Sequence, residues 1–115
     1  MHVPAIAEPR AQVSLDSGLS YREREPVVVL LRKRGRRYDL QDDGRAVALA
    51  GKPPGWRERA AQVVRGEYCL NVSREGTVFV PAVEGGVDLE WLARRVAEAS
   101  LALYQELLDF RESAG

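Results

Sequence analysis

The strongest constraint on how this chain folds is its C-terminal stretch. From residue 89 onward, Leu89, Leu92, Val96, Ala99, Leu103, Leu107 and Phe110 recur at spacings of three and four. That period places them on one stripe of an α-helix. Asp88 stands where an N-cap accepts the first free amides, and Val87 and Leu92 occupy the two positions of a hydrophobic staple. The pattern predicts a helix over 88–111, about 35 Å long at 1.5 Å per residue. A second apolar set, Leu101, Tyr104 and Leu108, lies roughly 100° to 160° around the axis. One sheet face cannot cover both stripes. The second stripe needs either the N-terminal segment, with Val3, Ile6, Val13 and Leu15, or the same helix of a second subunit.

A chain of 115 residues is the size of one domain, and 45% hydrophobic with 30% charged residues suits a globular fold. Basic and acidic residues balance at 17 each, so no whole-molecule field draws the chain to nucleic acid or an anionic membrane. The longest apolar run, Val27 to Leu31, is far short of the roughly 18 residues a membrane span requires. The first ten residues lack the basic and apolar regions of a secretory signal, and a lone Cys69 leaves no internal disulfide framework. A cytoplasmic location is the expectation.

Residues 1–25, with Pro4 and Pro9, read as an N-terminal arm holding a short strand near Gln12 to Leu15, ahead of one domain over 26–112. From Val27 the chain is β-branched, then turns at Gly35, and Tyr38 and Leu40 alternate with polar neighbours. A hairpin over 26–41 follows. Arg45 to Ala50 has two readings, a third strand after the Asp-Gly step or a short helix. The helix is favoured by Asp42 as a cap, by the alanines and by Gly51 at the end. Pro53-Pro54-Gly55 breaks the chain before a helix from Trp56 to Arg65 that stops at Gly66. Glu67–Val72 and Thr77–Pro81 read as a second hairpin. The fold class expected is α+β: an antiparallel sheet from two hairpins, packed by two short helices and one long C-terminal helix.

Catalytic signals are sparse. His2 is the sole histidine, so no Cys-His or Ser-His-Asp site can be assembled, and one His with one Cys cannot ligate zinc. Cys69 reads as a packing residue in an alternating strand. Phosphate-binding glycine motifs are absent, so no cofactor is expected. Asp39, Asp42 and Asp43 could serve a hydrolase or hold a hard cation, but their spacing matches no calcium loop; a cap with a solvated turn is the ordinary meaning. Arg32, Lys33, Arg34, Arg36 and Arg37 crowd the first hairpin turn. Such a ribbon could sit on a nucleic-acid backbone, whereas its ordinary role is a solvated tip that discourages edge pairing.

The segment Tyr38-x-Leu40-x-Asp42-Asp43-Gly44-Arg45-x-Val47 resembles the strand, L-T-D-D-G, helix signature of a small bacterial and phage domain family without an established function. Gln41 stands where that signature has threonine, and the likeness spans residues 27–110. The resemblance implies an α+β module with a short helix after Gly44, and it supplies no catalytic residue. The functional expectation is a non-catalytic interaction or regulatory module that forms a homodimer through Leu101, Tyr104 and Leu108. The alternatives are nucleic-acid binding by the basic tip and a hydrolase or metal enzyme built on Asp39, Asp42 and Asp43.

Overall fold

A computed structural model describes residues 12–84 and 86–114. Five strands form one antiparallel sheet in the order β1-β2-β3-β5-β4: β1 (Gln12–Arg22), β2 (Glu25–Arg34), β3 (Arg37–Gln41), β4 (Asn71–Val72) and β5 (Val78–Glu84). Between β3 and β4 come α1 (Arg45–Ala50), α2 (Trp56–Ala61) and a π-helical segment (Gln62–Glu67) that continues α2. The chain ends in α3 (Leu89–Ala114). This is the α+β class expected, with the hairpin, the helix after Gly44 and the long C-terminal helix in place. No helix among the described residues is long and apolar enough to cross a membrane.

The core lies between one face of the sheet and the helices. Val27, Val29 and Leu31 of β2 are fully buried, and the register carries that face across the sheet as Val13, Leu31, Leu40 and Val80. Val96, Leu103 and Leu107 of α3 meet it from the other side. Asp88 caps α3 through its Oδ1, which accepts the Trp91 amide at 3.0 Å.

Several expectations are corrected. The segment read as an arm contributes an eleven-residue strand, so the domain begins no later than Gln12; Val3 and Ile6 lie outside the described residues. Its alternation, with Leu15 and Tyr21 buried, is interrupted by a bulge at Gly18, and there the Ser17 hydroxyl donates to the Val27 carbonyl at 2.6 Å. The helix after Pro54 does not stop at Gly66. It widens to π geometry, with the Tyr68 amide bonded to the Val63 carbonyl, and Cys69 takes the left-handed position at φ 58°. Cys69 is therefore exposed and outside any strand, and β4 shrinks to two residues.

The second apolar stripe of α3 is largely satisfied within the chain. Tyr104 is buried against Tyr21 of β1, ring centroids 5.4 Å apart, while Leu101 and Leu108 stay half-buried at the edge of the core.

Candidate functional site: a buried junction and an uncovered sheet face

The Asp42-Asp43-Gly44 step is where sheet, short helix and long helix are tied together. Asp42 leaves β3 pointing inward and is 1% exposed. Its Oδ1 accepts the amides of Gly44 and Val78, each at 2.9 Å, and its Oδ2 accepts the Ser100 hydroxyl at 2.6 Å. Ser100 lies 2.5 Å from the Tyr21 hydroxyl. Since the single Ser100 hydrogen goes to Asp42, Tyr21 must be the donor in that pair. The result is a directed chain from Tyr21 through Ser100 to the Asp42 carboxylate, joining β1, α3 and the start of β5. Among the described residues no buried side-chain polar atom lacks a partner.

Asp42 was expected to cap α1 directly. The cap position instead belongs to Gly44, which sits at φ 68° and has no side chain to clash in that left-handed conformation. Asp42, two residues earlier, still serves the start of the helix, its carboxylate accepting the amides of Gly44 and of Ala46 in the first turn. Burial pushes its carboxyl above the ordinary carboxylate range, opposed by the hydrogen bonds from Ser100, Gly44, Val78 and Ala46. Burial likewise pushes the Tyr21 phenol up to about 12.

The other two acidic residues face elsewhere. Asp39 lies on the opposite side of the sheet, where it pairs with Arg34 at 3.2 Å and accepts the Ala82 amide at 3.0 Å, pinning a bulge in β5. Asp43 is exposed at φ 60°. The three carboxylates diverge, and no group of metal-ligating side chains forms among the described residues. A hydrolase or metal reading of this trio therefore has no geometric support.

The five basic residues also separate. Arg32, Arg34 and Arg37 lie on the sheet face away from the helices: Arg32 bonds the Gln12 amide oxygen at 3.0 Å, and Arg37 pairs with Glu84 at 3.5 Å. Lys33 is on the other face, 5.9 Å from the Tyr38 ring centroid, and Arg36 sits in the exposed turn. Ion pairs thus offset part of the positive charge on the ribbon.

No known family, curated protein or solved structure matches the chain.

What the geometry leaves open is the outer face of the sheet. No described element packs on it. One register row runs across all five strands as Ser14, Leu30, Gln41, Phe79 and Asn71, with Val28 beside it. Val28, Leu30 and Phe79 are half-buried and stand apart from the core; Val28 and Leu30 line an open depression of about 310 Å³ and Phe79 one of about 380 Å³. Charge differs between the ends of this face. At the hairpin tip Arg32, Arg34 and Arg37 exceed Asp39 and Glu84 by one charge, while at the opposite end Asp16, Glu25 and Asp43 exceed Arg22 and Arg45 by one.

The continuous β-branched run of β2 suits a strand covered on both faces or central in its sheet, and β2 is central, between β1 and β3. Its alternation of buried Val27, Val29 and Leu31 with half-buried Val28 and Leu30 shows which side is dry. Phe79 was not singled out, because an isolated aromatic in a short strand carries no periodic signal.

Proposed function

We propose that this protein is a non-catalytic interaction module that forms a homodimer by pairing the outer faces of two sheets. The observation that carries the reading is the apolar strip of Val28, Leu30 and Phe79 on a sheet that, among the described residues, is packed on its other face alone. A two-fold axis through that strip would bring the basic tip of one protomer over the acidic end of the other, an isologous match. The burial of Tyr104 by Tyr21 argues against the long helix as the principal contact, since Tyr104 is already used within the chain. Leu101 and Leu108 then serve as the margin of the monomer core.

Light scattering after size exclusion tests the proposal. The wild type should elute at twice the 12.8 kDa protomer mass, and Leu30→Glu should return it to one protomer with its circular dichroism retained. A Leu30→Glu protein that remains a dimer would remove the sheet face from consideration.

A further inference from the structure

A second feature belongs to neither the sheet face nor the buried junction. Between α2, the π-helical segment and the turn after β4 lies a cleft of about 270 Å³ whose floor is Trp56, Ala60 and Val72. Arg57, Arg65 and Arg74 line it, and among the described residues no acidic one does. Among the described residues none of the three arginines has an ion pair; the pairs that form use Arg34, Arg37, Arg45 and Arg59. Three arginines without a direct ion pair line one concavity and raise its potential, and nearby protein walls strengthen that field.

Two of these groups are held in place. Arg57 Nε donates to the Arg74 carbonyl and Arg65 Nη2 to the Val72 carbonyl, both at 3.3 Å. Arg57 also lies 5.4 Å from the Trp56 ring centroid, in cation–π range. A guanidinium has five N–H donors, so each anchored arginine keeps most of them free. Ser73 adds another donor: its Oγ accepts the Thr77 amide at 2.9 Å, which leaves its own hydrogen available.

We propose that this cleft binds the diphosphate group of a small molecule. Guanidinium forks match phosphoryl oxygens in pairs, which makes arginine the residue of choice for such anions. One phosphate monoester, at about −1.5 to −2 charge, would leave part of three arginines unneutralised, whereas two linked phosphoryl groups match them. The volume lies just under the roughly 300 Å³ where sites for larger ligands begin, so the cleft takes the anionic group and leaves the remainder of the molecule outside. The three arginines stand eight and nine residues apart and form no phosphate-binding motif, which hides the site from a sequence reading.

Trp56 supplies the signal for the test. In a Trp91→Phe background it is the only tryptophan left, and it is 9% exposed at the cleft floor. Sodium pyrophosphate titrated at constant ionic strength should change its fluorescence saturably. Arg65→Gln and Arg74→Gln should each weaken binding by at least about tenfold, the loss expected for one charge-assisted hydrogen bond. Arg94→Gln, on the exposed face of α3, should leave it unchanged. Calorimetric titration of the same variants, with melting curves to show that they fold, provides a readout independent of Trp56. No saturable response by either method would overturn the proposal, as would equal binding by the arginine variants. A single-stranded oligonucleotide that binds through these arginines while pyrophosphate does not would overturn it in favour of a nucleic-acid backbone.

Discussion

Replacing Asp42 with alanine probes the junction most severely, because the carboxylate accepts hydrogen bonds from three separate elements. Loss of Oδ1 leaves the fully buried Val78 amide without an acceptor, and loss of Oδ2 orphans one hydrogen of the Tyr21–Ser100 pair however the hydroxyls rotate. Each buried orphan costs about 1–3 kcal/mol, whereas the Gly44 amide is only part-buried and can turn to water. Removing a carboxylate whose ionised form is disfavoured by burial offsets some of this, so the net loss should be about 2–5 kcal/mol. Typical domains have only about 5–15 kcal/mol in total. Urea unfolding followed by circular dichroism, at one fixed protomer concentration, should show the midpoint falling by about 1–3 M with little change in slope. Asp42→Asn isolates the charge. The folded carboxyl has the higher pKa, so between the ordinary value of 3.8 and the folded value the native state holds more protons than the unfolded chain. Wild-type stability relative to Asp42→Asn should therefore decline as pH rises through that window and level off above it. An Asp42→Ala loss below about 1 kcal/mol would refute the reasoning, because it would mean the buried amide and hydroxyls find other partners.

Gly76 lies at φ 101°, and a Cβ there would come within 2.6 Å of Val47 Cγ2, so Gly76→Ala should lose about 2–5 kcal/mol from backbone strain and overpacking together, measured by thermal or urea unfolding. The Tyr21 phenol is held protonated to about 12 in the folded state against 10.0 ordinarily, so stability tied to it falls as pH rises from 10 towards 12; alkaline unfolding of Tyr21→Phe should lack that component. At neutral pH Ser100→Ala should cost more than Tyr21→Phe, since the first strands a phenolic donor and the second removes the donor itself. Cys69→Gly should stabilise by about 1 kcal/mol, since the left-handed turn that closes the π-helical segment suits glycine; a measured loss would show that the cysteine side chain contributes packing its exposure does not suggest.

The elements legible in the sequence were those whose signal is local. The three-and-four spacing of α3 and the turn chemistry of the β2–β3 hairpin depend on neighbours within a few residues, and both stand in the structure. β1 also carried its signal, with Val13, Leu15, Leu19 and Tyr21 on alternate positions; Ser17 and the bulge at Gly18 obscured it. Cys69 misled because Tyr68, Leu70 and Val72 alternate like a strand while the segment is the end of a widened helix. The meaning of Asp42 was out of reach for a different reason. Its acceptor role is defined by Val78 and Ser100, 36 and 58 residues away, and no local pattern announces such a partnership. The basic tip shows the converse limit: five adjacent positive residues looked like one patch, and strand alternation with ion pairing divides them between two faces and a turn.

The central claim, that two copies meet through the outer sheet face, is tested most directly by isotope-filtered NOEs in a sample mixing labelled and unlabelled chains. Contacts between protomers should involve the methyl groups of Val28 and Leu30 and the ring of Phe79. Intermolecular contacts confined to Leu101 and Leu108 of α3, or none at all at concentrations where the mass is that of one protomer, would contradict it.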